Sequence, residues 1–503
     1  MEKVSRRRVL KAAGAGVVAW GAGGAWLWEQ PAVAGTPGVE GVHLTFGEDP
    51  AAEMTVSWMS EGAVSRPRVR VGTVGGGYGC VVGAEGESYR DSVSGRVVWV
   101  HHARLAGLRA GERYVYRVEQ GDAAPVEGTF RTAPRGRAAF TFTSFGDQST
   151  AVQGDTLWSP HAGDIVDQVE AVDPLLHLMN GDLCYANINP DRVKVWGDWF
   201  TTNARSLRNR PWMPAAGNHE NELGNGPIGY GAYQAYFRLP GGGTRDHEMR
   251  GLWYAYTVGA VRFVHLANDD VAYQDGGGSY VRGYSGGAQR AWLERELAAS
   301  SRRHDIDWIV VCMHQTVISS ADFNGADQGV REEFVPLFDR YGVDLVLCGH
   351  EHHYERSHPV RGVVGGSATL TPNPVATDTQ VIDTSKGTVH MILGGGGTSA
   401  PSNQTLFTPI KAKIITGVGA ANPTTGKRPS VFAYEEAPWS AVRDHDHAYG
   451  FAGFEVEPGH PGGYTRINVT YYDSLGSGRD KLVPYERFTL QKRRSHGVVG
   501  GDL

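Results

Sequence analysis

Five short segments of this chain carry residues of the kinds that bind metal ions, and they occur in a fixed order. The segments are Gly146-Asp147-Gln148, Gly181-Asp182-Leu183-Cys184-Tyr185, Gly217-Asn218-His219-Glu220, Val311-Cys312-Met313-His314 and Gly349-His350-Glu351-His352. A single Gly-Asp pair would be weak evidence, because such pairs are common in turns. Five segments together offer enough ligands for two metal ions, and two neighbouring ions can hold a phosphate ester for in-line displacement at phosphorus.

Most of these segments follow an apolar run that is typical of a buried strand, and runs with helical spacing lie between them. The strand-like runs are 140–145, 175–179, 212–215, 262–266, 308–311, 344–347 and 389–393. The helical runs are 164–172, 193–207, 288–299 and 332–341. This βαβ pattern predicts a mainly parallel sheet covered by helices, with antiparallel strands at 451–456 and 464–472 closing the fold. Ligands of such sheets bind beyond the carboxyl ends of the strands, which is where the segments fall.

Residues 36–134 have a different pattern, in which short strands alternate with glycine-rich turns. Met54, Val56 and Trp58 form one alternating run. Such spacing predicts a small all-β sandwich, followed by a linker at 132–136. The stretch from Leu105 to Tyr116 resembles the tyrosine-bearing corner of fibronectin type III domains.

The five segments resemble the motifs of the calcineurin-like metallophosphoesterases and, within them, of the purple acid phosphatases. The last segment continues as His353-Tyr354-Glu355-Arg356-Ser357, which matches a stretch of that family. The resemblance covers residues 36–475. It implies an α/β fold, in which a metallophosphoesterase β-sandwich flanked by helices (residues 138–490) follows a fibronectin type III-like domain (residues 36–134). Tyr185 is the most telling residue, because the purple enzymes use a tyrosinate to colour an Fe(III) site.

The resemblance also implies how the ligands divide between two metals. Asp182 would bridge both ions, since one carboxylate can give an oxygen to each. The ligands completing the Fe(III) side would be Asp147, Tyr185 and His352. Those completing the divalent side would be Asn218, His314 and His350. Hard anionic oxygens suit a trivalent ion, whereas an amide and two imidazoles suit Fe(II), Zn(II) or Mn(II).

Two residues beside these ligands have implied roles of their own. His219 would stabilise the phosphate oxygens or protonate the leaving group. Glu220 would orient His219 or another ligand. The nucleophile would be a metal-bound hydroxide, because metal binding lowers the pKa of water.

The chain departs from the family pattern at two places. Gln148 stands where the first motif usually has glycine. The stretch 315–324 contains no histidine, whereas related phosphomonoesterases often place further histidines there. The candidates to replace those histidines are Gln315, Asn324 and the extra His353.

The leading interpretation is therefore an acid phosphatase that hydrolyses small phosphate monoesters. A phosphodiesterase or nucleotide hydrolase with the same metals is the alternative, favoured by the missing histidines. A binding or adhesion module with an inactive catalytic fold is a third interpretation, which the intact ligand set argues against. The net charge of −6 argues against broad nucleic-acid binding.

The N-terminus is predicted to be a targeting segment. Ser5-Arg6-Arg7-Arg8-Val9-Leu10-Lys11 resembles a twin-arginine export signal, and Ala32-Val33-Ala34 fits a cleavage site. We expect residues 1–34 to be removed, so that the protein is secreted, periplasmic or held at the cell envelope. The apolar run between them is short for a stable membrane span, although a basic tail with an anchor is the competing interpretation.

Three further features admit a structural explanation. The four cysteines are too few for a disulfide scaffold, and we expect Cys184, Cys312 and Cys348 to be buried rather than thiolate ligands, with a Cys312–Cys348 pair left open. Four consecutive glycines from Gly394 favour a turn after a strand over a phosphate cradle. Asp444-His445-Asp446-His447 is compatible with either a metal site or a polar loop.

Overall fold

The computed structural model describes residues 36–244, 246–274, 280–478 and 481–494. The predicted export signal, residues 1–34, lies outside the described residues. None of the helices within the described ranges is long and apolar enough to cross a membrane.

The N-terminal part is a sandwich of two four-stranded antiparallel sheets. Its strands are β1 (Glu40–Phe46), β2 (Met54–Ser60), β3 (Arg68–Thr73), β4 (Cys80–Gly83), β5 (Glu85–Arg90), β6 (Val97–Leu105), β7 (Arg113–Glu119) and β8 (Val126–Arg131). The sheet orders are β1-β2-β6-β5 and β4-β3-β7-β8. Trp58 from the first sheet and Tyr116 from the second are fully buried. The Tyr114 hydroxyl accepts a hydrogen bond from the Arg109 N–H at 2.7 Å, so the expected tyrosine corner is present.

The rest of the chain alternates strands and helices at first and then forms strands alone. The strands are β9 (Phe140–Phe145), β10 (Leu176–Asn180), β11 (Trp212–Ala215), β12 (Tyr254–Val258), β13 (Val261–His265), β14 (Trp308–Cys312), β15 (Ala326–Asp327), β16 (Leu345–Cys348), β17 (Tyr354–Ser357), β18 (Val360–Val363), β19 (Pro372–Pro374), β20 (Val381–Asp383), β21 (Val389–Leu393), β22 (Ala412–Val418), β23 (Ser430–Glu435), β24 (Ser440–Arg443), β25 (Gly450–Glu457), β26 (Tyr464–Ser474) and β27 (Leu482–Arg493). The α-helices are α1 (His161–Val172), α2 (Arg192–Leu207), α3 (Gly231–Tyr236), α4 (Ala288–Ser300), α5 (Gln328–Glu333) and α6 (Val335–Tyr341). Short 3₁₀ turns occur at Ala186–Ile188, Asn218–Glu220, His247–Met249, Asn268–Asp270 and Asn403–Thr405.

Two seven-stranded mixed sheets form the core of this part. Their orders are β11-β10-β9-β25-β26-β27-β20 and β12-β13-β14-β16-β21-β17-β24. Only β9 to β11 and the run β13-β14-β16-β21 are extended parallel sets. Half of the neighbouring strand pairs in these two sheets are antiparallel, so the prediction of a mainly parallel sheet is wrong, while the antiparallel pairing of β25 with β26 is confirmed. The sheets pack face to face: the Phe142 ring lies 5.1 Å from Phe263 of the other sheet.

One predicted helix is broken in two. The run 332–341 contains the end of α5 and all of α6, with a break at Phe334. Pro336 lies in the first turn of α6, where its missing N–H leaves no helical hydrogen bond unmade. Proline therefore starts a new helix instead of continuing the first.

The sandwich packs against α2, the end of α3 and the segment that follows it. The Tyr89 hydroxyl donates to the Tyr236 hydroxyl at 2.9 Å, and the Thr45 hydroxyl donates to the Arg238 carbonyl at 2.7 Å. The sandwich also reaches the loop that follows Glu220. Asn225 of that loop donates from Nδ2 to Asp91 Oδ1 at 3.0 Å and accepts from the Ser92 N–H at 2.8 Å.

Candidate metal centre

The five sequence segments converge at the ends of the central strands, and their backbone turns sharply there. Asp147, Asp182, Tyr185 and His350 have φ values of 60°, 52°, 57° and 71°. These values lie in the left-handed region, which costs a non-glycine residue about 1–3 kcal/mol. Four of the predicted ligands thus adopt a conformation that the local sequence does not favour, and the surrounding fold holds them in it.

The first group of donor atoms consists of Asp147 Oδ1, Tyr185 Oη and His352 Nε2. Tyr185 Oη lies 3.4 Å from Asp147 Oδ1 and 3.2 Å from His352 Nε2. His352 Nε2 lies 3.3 Å from Asp147 Oδ1. Ligand bonds of about 2.0–2.2 Å place neighbouring donors around one ion about 3.0–3.4 Å apart. The spacing of this group therefore fits a single ion.

The second group consists of Asp182 Oδ2, His314 Nε2 and His350 Nδ1. His314 Nε2 lies 3.1 Å from Asp182 Oδ2 and 3.2 Å from His350 Nδ1. One ligand atom from each of the three residues lies within 4.8 Å of the others. Asn218 Oδ1 is buried and has no hydrogen-bond partner among the described residues. A buried acceptor without a partner is unfavourable, and a cation beside it would satisfy it.

Backbone and amide oxygens fix which nitrogen of each histidine faces the cluster. His314 Nδ1 lies 2.7 Å from the Asn180 carbonyl oxygen, and His352 Nδ1 lies 2.6 Å from that of Ala400. His350 uses Nε2 instead, which donates to Gln274 Oε1. The nitrogen that faces an oxygen acceptor carries the proton, so the other nitrogen of each ring is free to bind a metal.

Glu220 holds two of the ligand segments together. Its carboxylate accepts from the N–H groups of Asp182 and Leu183, both at 2.8 Å, and of Gly217 at 2.7 Å. These three bonds fix the backbone that carries Asp182 and Asn218. The His219 ring is held by another residue, since His219 Nδ1 lies 2.8 Å from Asn187 Oδ1.

The electrostatics of the cluster favour positive charge. Burial alone would lower the pKa of His314, but the Asp182 carboxylate outweighs it and raises that pKa to about 10. Burial and the carboxylates of Asp147 and Asp182 raise the pKa of Tyr185 well above its usual value. Burial lowers the pKa of His219, against the opposing effect of Asp182. The buried carboxylates of the cluster therefore favour a positive charge beside them.

A cleft of about 320 Å³ opens onto the cluster. Its lining consists of Leu157, Asp182, Tyr185, Ile188, Asn218, His219, Gln274, Phe323, Asn324, His350, His352, Ala400 and Lys427. Five of the predicted ligands and His219 line the cleft, whereas Asp147 and His314 lie fully buried behind it. Lys427 and Gln274 carry no signal in the sequence, because they come from distant, irregular segments.

Comparison with known proteins agrees with this geometry. The model of the purple acid phosphatase N-terminal domain matches residues 39–132, and that of the calcineurin-like phosphoesterases matches residues 151–354. An uncharacterized protein of Mycobacterium tuberculosis is 53% identical over 513 residues, which cover 98% of this chain and 96% of that protein. The chain belongs to the purple acid phosphatase family. It is therefore a metal-dependent phosphoester hydrolase.

Two further proteins are similar to this chain, one in sequence and one in solved structure. Acid phosphatase type 7 of Homo sapiens is 27% identical over 446 residues, covering 82% of this chain and 83% of the human protein. The solved structure of a purple acid phosphatase from yellow lupin (Lupinus luteus) seeds has a TM-score of 0.66 and 21% identity, covering 91% of this chain and 75% of the lupin chain. The sandwich followed by a metallophosphoesterase domain is thus the fold of this family.

The departures from the family pattern have structural explanations. Gln148 donates from Nε2 to Asn203 Oδ1 at 2.8 Å and accepts from Trp199 Nε1 at 2.8 Å, so it ties the first ligand loop to α2. His353 is buried between Ser402 Oγ, 2.9 Å away, and Glu355 Oε2, 3.4 Å away. Neither side chain faces the cleft.

Among the three candidates to replace the family's substrate histidines, Asn324 alone lines the cleft. Asn324 Nδ2 lies 2.5 Å from the His350 carbonyl oxygen, to which it donates. Gln315 instead donates to the buried Asp269 carboxylate. Of these three candidates, only Asn324 is therefore within reach of a substrate in the cleft.

The glycine run follows β21, as predicted, and passes directly behind the cluster. A Cβ atom on Gly394 would lie 2.1 Å from the Glu351 carbonyl oxygen and 2.8 Å from Asp147 Oδ2. A Cβ atom on Gly396 would lie 2.2 Å from the Gly146 carbonyl oxygen. Only glycine lets the backbone come this close to the first ligand loop.

The cysteines are outside the chemistry of the cluster. All four are free; Cys184, Cys312 and Cys348 are buried as expected, and Cys80 is exposed. Burial raises the pKa of Cys312 well above its usual value, which disfavours the thiolate.

Proposed function

We propose that this protein is an exported acid phosphatase that hydrolyses small phosphate monoesters with a pair of metal ions, Fe(III) and a divalent iron, zinc or manganese. The observation that carries the proposal is the division of the donor atoms into two compact groups, one of which contains the phenol of Tyr185. A tyrosine among the ligands is the feature that the resemblance ties to a coloured Fe(III) site.

The donor sets support this assignment of metals. Asp147, Tyr185 and His352 offer two oxygens that can be anionic and one imidazole, which suits a hard trivalent ion. Asn218, His314 and His350 offer an amide oxygen and two imidazoles, which suit a borderline divalent ion. Asp182 is the shared residue. When bound, the two ions supply positive charge to the phosphate oxygens and acidify water.

The side chains of the cleft support an anionic substrate of modest size. Lys427 at the cleft brings a positive charge to the phosphate group. Phe323, Leu157 and Ile188 provide apolar surface for the leaving group. A cleft of about 320 Å³ lies at the small end of the range for ligand sites.

His219 is the best-placed proton donor for the leaving group. Asn187 holds its Nδ1, and its Nε2 lies 4.0 Å from Asp182 Oδ2 at the floor of the cleft. Its side chain is 20% exposed, so a substrate oxygen can reach it. Because Nδ1 faces an acceptor and keeps its own proton, Nε2 holds a proton for the leaving group only when the ring is in its imidazolium form, which the acid conditions of the proposed activity favour.

The test of this proposal combines a spectrum with two rates. The purified mature protein is expected to hold about two metals per chain and to absorb broadly in the green-yellow. It is also expected to cleave 4-nitrophenyl phosphate faster than bis(4-nitrophenyl) phosphate. A colourless protein with two other metals would refute the Fe(III) assignment but not the family chemistry.

Faster cleavage of the diester would instead establish the phosphodiesterase alternative. One observation favours that alternative: in the described part of the chain, His219 is the only histidine that lines the cleft besides predicted ligands. The ratio of the two rates, measured on one preparation, separates the two functions.

Export through the twin-arginine route is the part of the proposal that rests on sequence alone. Replacing Arg6 and Arg7 together by lysine is expected to keep the protein in the cytoplasm, whereas Arg8→Lys is expected to leave export intact. The N-terminal sequence of the exported protein is expected to begin after Ala34. Unchanged export of the double variant would contradict the proposed route.

A further inference from the structure

A second cluster of ligand-type side chains lies where the loop between β24 and β25 meets the end of β26. His447 Nδ1 lies 3.3 Å from Asp444 Oδ2 and 3.0 Å from Asp473 Oδ2. The three residues each offer one donor atom within 4.8 Å of the others. Asp444 and His447 belong to the loop, and Asp473 lies in the strand, 29 positions after Asp444. No single sequence motif therefore contains all three residues.

The two carboxylates of this cluster are buried and poorly compensated. The Asp444 side chain is 1% exposed and that of Asp473 is 4% exposed. Asp473 Oδ1 is buried without a hydrogen-bond partner, and within the described ranges neither carboxylate pairs with lysine or arginine. Two buried carboxylates that repel each other are unfavourable unless a cation lies with them.

The cluster is also preformed and open to solvent on one side. Asp444 Oδ1 accepts from the backbone N–H groups of Asp446 at 2.9 Å and His447 at 3.0 Å, which fixes the loop. Asp473 belongs to β26, which is paired on both sides. The His447 side chain is 35% exposed and marks the path by which an ion could enter.

We propose that Asp444, His447 and Asp473 bind one divalent metal ion of the zinc or manganese class, separate from the catalytic pair. A donor set of two carboxylates and one imidazole, with a fourth position left for water, suits such an ion. Calcium takes six to eight oxygen ligands, which this cluster does not offer. The competing explanation is a protonated His447 that bridges the two carboxylates with no metal.

This ion would steady the segment that orients His352. The His445 carbonyl oxygen accepts from Asn403 Nδ2 and Gln404 Nε2, both at 2.7 Å. The neighbouring Ala400 carbonyl oxygen accepts from His352 Nδ1 at 2.6 Å. The second site would therefore have a structural role and would act on catalysis only through the position of this segment.

The test is a metal count on matched variants of the full-length mature protein. Wild type and Asp473→Asn are stripped with a chelator and reloaded with Zn²⁺ alone, and zinc per chain is measured by elemental analysis. The variant is expected to bind one zinc ion fewer than wild type. Asp446→Asn is the matched control, because its side chain lies outside the cluster while its backbone shares the loop, and it is expected to bind as much zinc as wild type.

Thermal unfolding gives a second, independent readout. Zinc is expected to raise the melting temperature of wild type more than that of Asp473→Asn, because one stabilising ion is missing from the variant. Equal zinc counts and equal zinc-dependent shifts would overturn the proposal and leave the bridging His447 as the explanation. If Asp473→Asn does not fold, His447→Ala on the exposed side of the cluster provides the same comparison. The measured difference of one ion does not depend on which metals the catalytic pair prefers.

Discussion

The catalytic cluster around Asp182 and the second cluster, formed by Asp444, His447 and Asp473 and called the Asp444 cluster, use similar donor types but are built differently. In the catalytic cluster four predicted ligands have left-handed backbone, and the histidines are fixed by carbonyl or amide oxygens. In the Asp444 cluster the backbone conformations are ordinary, and an aspartate-stabilised loop meets a strand. A reaction requires donor atoms at set positions and orientations, whereas a stabilising ion requires mainly charge and burial. The difference indicates which of the two sites carries chemistry.

The largest expected effect separates the two clusters outright. Asp182→Asn removes the shared carboxylate, and we expect kcat on 4-nitrophenyl phosphate to fall by about 10³-fold or more, since each lost ion contributes several kcal/mol. Asp473→Asn is expected to lower kcat by less than about tenfold, because it acts only through the 400–405 segment. Comparable losses in the two variants would contradict the assignment of catalysis to one cluster.

The next effect tests the carboxylate that positions Asp182. Glu220→Gln places an amide NH₂ against backbone N–H donors. We therefore expect the rate or the metal affinity to fall about 10–100-fold, and less metal to be bound. Glu222→Gln is the control. That side chain is also buried, but it accepts from Trp196 Nε1 at 2.6 Å, and its amide oxygen can keep this bond. Steady-state rates and metal analysis on both variants show whether activity requires the carboxylate at Glu220 in particular. Equal losses in the two variants would mean that neutralising any buried carboxylate nearby has the same effect.

A third effect concerns colour more than rate. Tyr185→Phe is expected to abolish the visible absorption band while lowering kcat by about tenfold or less, because Asp147 and His352 remain as ligands. Tyr230→Phe, at a buried tyrosine bonded to Asp269 at 2.8 Å, is expected to keep the band. A band that survives Tyr185→Phe would mean that another group colours the protein.

The smallest expected effect tests the cation at the cleft, which the Asp444 cluster lacks. Lys427→Ala is expected to raise KM for a phosphate monoester about 3–10-fold with a smaller change in kcat, because Lys427 at the cleft is expected to contact the bound anion and not the reacting bond. Lys411→Ala is the control, because Lys411 Nζ lies 4.4 Å from the centre of the Phe407 ring and outside the cleft. An equal rise in both variants would point to general charge and not to a contact.

The sequence predicted which residues converge in the catalytic cluster because strong local signals frame it. Apolar runs that lead to Asp147, Asp182, His314 and His350 indicated the strands and the predicted ligands that follow them. Lys427 could not be predicted, since it follows a long irregular stretch and reaches the cleft only through tertiary packing. Only part of the Asp444 cluster could be predicted from the sequence. The loop 444–447 is a recognisable pattern, whereas Asp473 is one aspartate in an alternating strand.

The sheet topology was predicted less well for a physical reason. Short strands such as β17 and β24 have four residues each, so their alternation is too brief to distinguish them from loops. Their pairing depends on neighbours far away in the chain, which no local pattern encodes. The break between α5 and α6 did have a local signal in Pro336, but helical periodicity on both sides of it masked that signal.

The glycine run behind the cluster has a consequence for how the enzyme tolerates change. Gly394 and Gly396 have no side chain to offer, yet a single methyl group at Gly394 would collide with the Glu351 carbonyl and Asp147, and one at Gly396 with the Gly146 carbonyl. In a saturation-mutagenesis screen for phosphatase activity, these positions are expected to be as intolerant of substitution as the ligands. The shape of the metal site thus depends on atoms that must be absent as much as on those that are present.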